Sequence, residues 1–505
     1  MEPVRFPFDN SYARDLPGFY APCEPEPAPA PRLVHFNHAL AEELQLGLAD
    51  HDADGLAAIF SGNCLPMEAT PIAQAYAGHQ FGQFSPQLGD GRALLIGEVI
   101  DRLGRRRDIA FKGSGRTPFS RRGDGKAALG PMLREVLIGE AMNALGISST
   151  RALAVVATGE QVYRDRPLPG ATLTRVAGSH IRVGTFEYFA AHGTVDQVGR
   201  LADYTIARHY PELQDGECRH LHFLRAVAER QAALVAQWMH VGFIHGVMNT
   251  DNMSLAGETI DYGPCAFMES YDPKAVFSSI DELGRYAYGR QPRIARWNLA
   301  RLAEALLPLI APEQQRAVEL ATEVLDAFPG CYERHWLDGM CAKLGLEPQA
   351  RAGEGEVAAL AEDWLALLQA NRVDFTLAWR RLADAAEGHD APLRSLFGEH
   401  RALDPWMARW RARCAGEDAQ CAAAGVPAPA DARARRMRGV NPWLIARNHL
   451  VEEALEAATD DGDLAPFEQL LAALALPYQE RPELARFAEP APAAFTRSFR
   501  TFCGT

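Results

Sequence analysis

Hydrophobic and polar residues alternate with the period of a strand in several stretches before residue 180, and with the period of a helix in most of the chain after it. Residues 92–100 and 108–112 alternate as strands do, and the polar turn 102–107 joins them. Apolar residues in 128–144 recur at helical spacing, which predicts an amphipathic helix. Further strands are expected at 152–157, 160–164 and 171–176, and a short β-hairpin at 253–260.

Helices are expected to dominate the rest of the chain. The pattern predicts them at 36–45, 54–60, 196–209 and 220–241, and over most of 298–505. Asn441 and Pro442 are expected to begin one of them, because Asn caps helices and Pro suits their first turn. The Ala-rich stretch 414–437 predicts a flexible connector. Residues 1–31, which end in a proline-rich run, predict an extended segment that wraps the body or acts as a spacer.

Composition narrows the class of protein. The chain has 505 residues, 48% hydrophobic and 23% charged, which is typical of a soluble protein of two or three domains. The net charge of −14 argues against nucleic acid or an anionic membrane as a partner. Nine cysteines without a C-x-x-C pair indicate a reducing compartment, and neither a signal peptide nor a membrane-spanning run is evident. A cytoplasmic protein is expected.

Two loops that bear carboxylates lie close together in the middle of the chain. The first contains His245, Asp251 and Asn252, and the second (DYG) begins at Asp261, nine residues past Asn252. Protein kinases hold a metal and a nucleotide with two such loops, which read H-R-D-x-x-x-x-N and D-F-G. His245 and Asn252 fall on the His and Asn of the first loop, and Asp261 falls on the Asp of the second.

The kinase catalytic aspartate has no counterpart, because its position is Val247, which cannot accept a proton. Asp251 is the carboxylate left in that loop and is the candidate proton acceptor. Asn252 and Asp261 offer the hard oxygen donors that suit Mg²⁺ or Mn²⁺. The alternative is that both loops are turns capped by Asx side chains. His245 is expected to support the loop backbone.

Lys112 ends a predicted strand, and Glu135 lies 23 residues on, in the next predicted helix. In a kinase fold such residues form an ion pair that aims the ammonium group at nucleotide phosphates. The alternative is a surface lysine and a solvated glutamate.

Glycines and cations surround these residues in the sequence. Gly89, Gly91 and Arg92 resemble half of a phosphate-binding loop, although a tight turn would read the same way. The loop 113–127 combines Arg116, Arg121, Arg122 and Lys126 with Asp124 and Gly125. It is either a solvated turn or part of a basic cleft. Arg175 and Arg182 lie beside a predicted strand. So many cations exceed the needs of an ordinary kinase and indicate an unusual placement of the polyphosphate.

Several segments resemble the selenoprotein O (SelO/YdiU) family. They are YAGHQFG (76–82), LGDGRA (88–93), FKGSGRTPFSRRGDGKA (111–127), LREVLIGEAM (133–142), HGVMNTDNMSLAGETIDYGP (245–264), VFSSID (276–281), GRYAYGRQP (284–292) and NPWLIARNHL (441–450).

The resemblance implies an α+β, protein-kinase-like bilobal fold with a β-rich N-lobe, a helical C-lobe and an additional helical C-terminal region. It implies a protein adenylyltransferase that holds ATP flipped, joins AMP to Ser, Thr or Tyr of target proteins and releases pyrophosphate. UMP transfer from UTP with Mn²⁺ is associated with the family as well. The expected organisation is an N-terminal wrapping segment (1–75), an N-lobe (76–190), a C-lobe (191–300) and a helical region with a Cys-containing tail (301–505).

The resemblance also implies roles for individual residues. Asp251 would be the catalytic proton acceptor, Asn252 and Asp261 would bind Mg²⁺ or Mn²⁺, and Glu135 would form the structural ion pair with Lys112. Nucleotide contacts would come from Gly89, Gly91, Arg92, Lys112, Asp124, Gly125, Arg175, Arg182 and Asp261.

Family members often carry a cysteine or selenocysteine near the C-terminus, where this chain has Cys503. Some are thought to pair it with a cysteine near the active site. The corresponding position here is Ser278, and Cys265 is the nearby substitute, so an intramolecular disulfide is not expected to follow the family pattern.

Two other functions fit the same residues. An ordinary phosphotransferase would use Asp251 as its base, and a catalytically silent nucleotide-binding scaffold would account for the valine at position 247.

Overall fold

Eight of the strands before residue 178 form one antiparallel sheet in the computed structural model, which describes residues 4–347, 354–398, 400–423 and 431–502. The strands are β1 (Tyr20–Pro22), β2 (Arg32–Phe36), β3 (Ile72–Gln74), β4 (Gly78–Gln80), β5 (Gln83–Ser85), β6 (Ala93–Ile100), β7 (Arg106–Lys112), β8 (Ala127–Ala128), β9 (Arg151–Tyr163), β10 (Pro167–Ala177), β11 (Phe243–Ile244) and β12 (Ala266–Phe267). The order in the large sheet is β1-β3-β6-β7-β10-β9-β2, and β8 pairs with β10 beside this path. β4 pairs with β5, and β11 pairs with β12, in two small separate sheets.

Helices make up most of the chain after the sheet, so the fold is mixed α/β. The α-helices are α1 (Ser11–Asp15), α2 (His38–Glu43), α3 (Ala53–Phe60), α4 (Leu129–Ala144), α5 (Val183–His192), α6 (Val195–His209), α7 (Arg219–Val241), α8 (Gln291–Ile310), α9 (Gln314–Leu344), α10 (Glu354–Asn371), α11 (Phe375–Ala386), α12 (Ala391–Arg394), α13 (Leu403–Ala423), α14 (Ala432–Val440), α15 (Asn448–Glu456), α16 (Ala465–Leu474), α17 (Ala485–Ala488) and α18 (Ala493–Ser498). Short 3₁₀ turns lie at Pro211–Leu213, Thr250–Asn252, Tyr288–Arg290, His400–Ala402 and Pro482–Leu484, and a π-helical turn at Ala457–Asp461. No helix in these ranges is long and apolar enough to span a bilayer.

The hairpin of β6 and β7 confirms the prediction made from alternation. Its turn is built by Asp101, whose carboxylate accepts hydrogen bonds from the backbone N–H groups of Leu103 and Arg105, each at 2.9 Å. The register pairs Ala93 with Lys112. The lysine therefore lies directly beside the glycine-rich turn that precedes β6.

Helix α4 packs against β9 and β10, as its apolar stripe predicts. Leu133, Val136 and Leu137 on this helix are fully buried. The strands predicted at 152–157 and 160–164 are one continuous strand, β9, whose pairing with β10 shifts register near its middle.

The N-terminal segment belongs to the sheet. β1 pairs with β3 and β2 pairs with β9, so residues 20–36 supply the strands at both edges. The expected domain boundaries stay a prediction.

Two predictions about the C-terminal part are wrong. Asn441 and Pro442 do not begin a helix, because the Asn441 amide donates to the Lys343 carbonyl (2.9 Å) and the helix begins at Asn448. The predicted connector is helical over α13 and α14, which are held together by Arg433 hydrogen-bonded to the Cys414 carbonyl (3.1 Å). Its remaining part, 424–430, lies outside the described residues.

The hairpin predicted at 253–260 is also absent, and the described residues show the reason. Ser254 forms a β-bridge with Arg182, and Thr259 forms one with Ser149. The segment therefore pairs with the strand-rich part of the chain and not with itself.

Arg447 connects the C-terminal helices to the middle of the chain. It is fully buried, and its guanidinium donates to Glu269 at 2.6 Å and to Asp374 at 2.7 and 3.1 Å. Removing one partner from a buried ionic cluster leaves uncompensated charges, which are far more destabilising than the loss of an exposed pair.

We therefore expect Arg447→Met to lower the free energy of unfolding by about 3–5 kcal/mol, because two buried carboxylates lose their cation. Urea denaturation followed by circular dichroism measures the change. Arg435→Met is the matched control, since Arg435 is 68% exposed and pairs with the exposed Asp431 at 2.6 Å. Equal midpoints for the two variants would contradict the structural role of Arg447.

Candidate active site

The first loop follows α7, which ends at Gly242 in a left-handed conformation (φ +75°). His245 comes next and is buried, with its Nε2 2.9 Å from the carbonyl oxygen of Ile260. Burial lowers the pKa of His245, which favours the neutral imidazole as a hydrogen-bonding group. His245 thus ties the first loop to the residue that precedes Asp261.

Asp261 is the meeting point of three cations. Its carboxylate accepts hydrogen bonds from Lys112 Nζ at 2.8 Å, Arg175 Nη1 at 2.6 Å and Arg182 Nη1 at 2.9 Å. Its backbone is left-handed (φ +62°), which is uncommon for a non-glycine residue. Burial would raise the pKa of Asp261, but the three cations outweigh burial and hold that pKa well below its usual range. Asp261 is therefore ionised.

Glu135 on α4 completes the cluster. It forms an ion pair with Lys112, and its Oε2 lies 3.7 Å from Arg175 Nη1. Three cationic side chains thus face two carboxylates, which leaves one excess positive charge within this cluster. Such a charge attracts a polyphosphate.

Asp251 lies beside this cluster in a different environment. It is 8% exposed, and one oxygen accepts a long hydrogen bond from Gln80 at 3.4 Å. The other oxygen, Oδ1, has no hydrogen-bond partner among the residues that the structure describes. Burial raises the pKa of Asp251 to about 6, although the nearby Arg182 opposes the shift. A carboxylate so weakly solvated is a better proton acceptor than an exposed one.

Arg182 joins the two loops. One nitrogen, Nη1, donates both to the backbone carbonyl of Asp251 (2.7 Å) and to the Asp261 carboxylate (2.9 Å). The guanidinium also stacks over the Tyr76 ring, 4.6 Å from its centroid. Arg182 therefore fixes the distance between the candidate base and the charge cluster.

The residues expected to hold a divalent cation have suitable donor chemistry. The Asn252 side-chain nitrogen donates to the Val247 carbonyl at 3.0 Å, which leaves its amide oxygen as the donor atom for a cation. Asn252 and Asp261 both line the cleft. The hard oxygens of these two side chains fit Mg²⁺ or Mn²⁺. Asp251 Oδ1, which has no hydrogen-bond partner in the described part of the chain, lines the same cleft.

The glycine-rich turn also lines the cleft. Gly89 has a left-handed backbone (φ +67°), and a Cβ there would lie 2.3 Å from the Phe119 ring. Gly91 and Arg92 follow it, immediately before β6. The Arg92 carbonyl accepts a hydrogen bond from the backbone N–H of Gly113 at 2.7 Å. The turn and the basic loop are therefore packed on each other.

Asp124 and Gly125 lie in that basic loop, at the cleft wall. Asp124 receives two hydrogen bonds from Arg164, at 2.8 and 3.1 Å, which lower its pKa. Gly125 has φ +70°, and a Cβ there would lie 2.1 Å from the Gly115 carbonyl oxygen. Asp124 thus supports the loop through Arg164, and its nucleotide contact stays a prediction.

The cleft has a volume of about 1400 Å³ and gathers all the predicted site residues. The cations of the basic loop also line it, as do residues from the far end of the chain, namely Glu452, Glu456, Arg500 and Phe502. No local pattern in the sequence indicates that these C-terminal residues line the cleft.

A polar network that holds the residue before Asp251 was not predicted from the sequence. Glu187 on α5 lies 2.5 Å from His79 Nδ1 and accepts a hydrogen bond from the Thr250 hydroxyl, also at 2.5 Å. The His79 backbone N–H donates to the same hydroxyl at 2.6 Å. The network fixes the residue before Asp251. In the sequence, the one indication of this network is the segment 76–82, which contains His79 and resembles the family. That segment has no residue spacing typical of a catalytic or binding motif.

The cysteine expectations have different outcomes. Cys503 lies outside the described residues. Thr501 forms a parallel β-bridge with Ser278, so the described residues just before Cys503 lie beside the position where the family pattern has a cysteine. Cys265 is buried and free, and burial raises the pKa of its thiol to about 12, so the thiolate is disfavoured.

The chain matches known proteins over nearly its whole length. The family described as "Protein adenylyltransferase SelO" matches residues 4–475. Proteins named "Protein nucleotidyltransferase YdiU" are similar: that of Chromobacterium violaceum is 59% identical over 97% of this chain and 100% of its own length. Those of Cereibacter sphaeroides (strain KD131) and Rhizobium meliloti (strain 1021) are 61% and 55% identical, and each alignment covers 99% of this chain and 100% or 99% of the relative.

These matches define an enzyme of the nucleotidyltransferase class. The chain belongs to the protein adenylyltransferase SelO family.

The close approach of Gly78 to Asp251 yields a test of the site geometry. A Cβ at Gly78 would lie 2.4 Å from Asp251 Oδ1, so Gly78→Ala must displace the carboxylate. We expect the rate of nucleotide transfer to fall by about tenfold to a hundredfold with little change in ATP affinity, because a shift of about 1 Å in a catalytic group has such effects. Transfer of label from α-labelled ATP and calorimetric ATP binding measure the two quantities.

Gly416→Ala is the control for this substitution, because no atom lies within 4 Å of the added methyl group. A Gly78→Ala enzyme with the wild-type rate would show that the position of the Asp251 carboxylate is unimportant.

Proposed function

We propose that this chain transfers AMP from ATP to Ser, Thr or Tyr hydroxyls of other proteins and releases pyrophosphate. The observation that carries the proposal is the cluster at Asp261, where Lys112, Arg175 and Arg182 converge beside a buried carboxylate, Asp251. Membership of the SelO family supports the same chemistry.

We infer a protein-kinase-like bilobal arrangement for the catalytic part. The sheet with α4 is the N-lobe in this proposal, and α5 to α8 with the two loops form the C-lobe. The pairing of Lys112 with Glu135 supports it, since a strand lysine and a helix glutamate pair in this way in kinases.

ATP is held flipped in this proposal, so that the α-phosphorus faces the acceptor. The cations Arg116, Arg121 and Arg122 also line the cleft. Together with Arg92 they offer charge for the β- and γ-phosphates, where an ordinary kinase would bind adenosine and need no cations. Gly89, Gly91 and Gly125 let backbone N–H groups approach the same phosphates.

Asn252 and Asp261 would hold Mg²⁺ or Mn²⁺ in this cleft. When bound, the divalent ion would neutralise charge on the phosphate oxygens. Lys112, Arg175 and Arg182, which contact Asp261, would orient the polyphosphate, and Glu135 would keep Lys112 directed at it.

Asp251 accepts the proton of the acceptor hydroxyl in the proposed reaction. The hydroxyl oxygen forms a bond to the α-phosphorus, the bond from that phosphorus to the bridging oxygen breaks, and pyrophosphate leaves with the bonding electrons. Because burial weakens the solvation of Asp251, its carboxylate is poised to take that proton. Positioning and charge neutralisation supply most of the rate.

UTP is a second candidate donor, because the proposed contacts bind phosphates and not the base. The proposed site of action is the cytoplasm, with protein acceptors and with neither nucleic acid nor membrane as partner. An ordinary phosphotransferase and a silent scaffold are the alternatives that the first experiment separates.

Incubation with ATP labelled at the α- or at the γ-phosphate tests the transferred group. We expect label from the α position to become protein-bound in the presence of Mg²⁺ or Mn²⁺, and none after chelation. Protein-bound label from the γ position alone would replace the proposal with a kinase, and no label in any acceptor protein would favour the scaffold.

Asp251→Asn tests the proton acceptor without changing the shape of the side chain. We expect kcat to fall by about a hundredfold to ten-thousandfold, because a positioned base contributes that much, while the KM for ATP changes little. Steady-state transfer rates provide both constants. Asp165→Asn is the control, since Asp165 is an exposed carboxylate in the same cleft. A wild-type kcat in Asp251→Asn would assign the base elsewhere.

A further inference from the structure

Three side chains with metal-binding chemistry meet on the surface between α7 and α9, away from the cleft. They are Glu229 on α7 and Cys331 and His335 on α9. The Cys331 thiol donates to one oxygen of Glu229 at 2.7 Å, and His335 Nε2 lies 2.7 Å from the other. One donor atom from each residue lies within 4.8 Å of the other two. Among the described residues this is the only such group of three.

The spacing of the two α9 residues is that of a metal-binding pair. Residues four apart lie on one face of a helix, and two ligands at this spacing bind zinc in the H-E-x-x-H motif. A carboxylate from a neighbouring helix supplies a third ligand in many catalytic zinc sites. Thiolate and imidazole together favour zinc over Mg²⁺ or Ca²⁺, which prefer oxygen donors only.

We propose that Glu229, Cys331 and His335 bind one Zn²⁺ ion, with water in the fourth position. Zinc bond lengths of about 2.0–2.3 Å in a tetrahedral site separate the ligand atoms by about 3.3–3.6 Å. The two 2.7 Å contacts to Glu229 therefore need to open by less than about 1 Å, and all three side chains have partial exposure that permits it. Zinc binds the thiolate, so the thiol proton is released to solvent on binding.

Arg334 competes with zinc for this site. Its Nη2 donates to both oxygens of Glu229, at 2.8 and 3.0 Å, and lies 3.5 Å from Cys331 Sγ. The guanidinium is 55% exposed, so it can leave for solvent when the metal arrives. Arg334 thus occupies the place of the cation in the metal-free protein and weakens zinc binding without preventing it.

The zinc site bridges two elements that matter to the enzyme. α7 leads through Gly242 into the loop that carries Asp251, and α9 packs along α7. An ion held by both helices resists their separation, so the site stabilises the base of the catalytic loop without contacting substrate. It is independent of the proposed transfer reaction.

Cobalt is the probe for this site, because Co²⁺ bound to a thiolate in a tetrahedral site absorbs through charge transfer and d–d bands. The full-length chain is stripped with a chelator, titrated with Co²⁺ and then with Zn²⁺. We expect one equivalent of Co²⁺ to produce the thiolate band, Zn²⁺ to abolish it, and Zn²⁺ to raise the thermal midpoint.

Variants assign the ligands. Cys331→Ser is expected to lose the thiolate band, and His335→Ala and Glu229→Gln to weaken Co²⁺ binding by at least about tenfold. Arg334→Ala is expected to bind Co²⁺ more tightly, because it removes the competing cation. Cys218→Ser, which removes an exposed thiol at the start of α7, keeps the band. Asp261→Asn keeps it as well, because the active-site donors are oxygens.

Three outcomes would overturn the proposal. They are no thiolate band in the wild-type chain, a band that persists in Cys331→Ser, and an Arg334→Ala variant that binds Co²⁺ no better than wild type. Circular dichroism confirms that each variant is folded, which is expected for Glu229, Cys331, Arg334 and His335 because these four side chains are at least partly exposed.

Discussion

The carboxylate of Asp261 is the interaction on which the site depends. Lys112 comes from β7, Arg175 from β10 and Arg182 from the residue before α5, and these cations would repel one another in a buried cleft without a common anion. The carboxylate holds them at contact distance and so connects the sheet to both loops. In the proposed function these cations are already in position when a polyphosphate supplies further anions, which is the preorganisation that electrostatic catalysis requires.

Close backbone contacts place the candidate base next to that cluster. The carboxylate of Asp251 packs against the bare Cα of Gly78, and the Gly184 Cα comes so near the Ala77 carbonyl that a Cβ there would lie 2.1 Å from its oxygen. Hydrogen bonds through Glu187 and Thr250 hold the same turn from below. Asp251 is thus poorly solvated because of its neighbours' shape, and its raised pKa follows from that burial.

Features that depend on short-range sequence were predictable. Lys112 at the end of a strand, Glu135 in the next helix and the spacing from Asn252 to Asp261 follow from local patterns, and the structure brings these residues together. The network of His79, Glu187 and Thr250 was not predictable, because its members lie up to 171 residues apart and no periodicity links them. The roles in the reaction that the sequence suggests for Lys112, Glu135, Asn252 and Asp261 stay predictions.

Local rules also failed where tertiary contacts were stronger. Asn441 has the sequence of a helix cap, but its amide is needed by the carbonyl of Lys343, 98 residues away. The Ala-rich connector was interpreted from composition, yet alanine is also the best helix former, and Arg433 gives this stretch a buried partner. In both cases the deciding contact comes from a distant part of the chain.

The position of residues 20–36 at both edges of the sheet has a consequence for solubility. Until β1 and β2 dock, β3 and the 13-residue β9 present unpaired backbone N–H and C=O groups, and β9 includes an apolar run. Such an edge is a template for strand addition by another molecule. Residues 20–36 therefore protect both edges of the sheet from pairing with strands of other molecules. A protein shortened past residue 36 would expose β3 at one edge and β9 at the other.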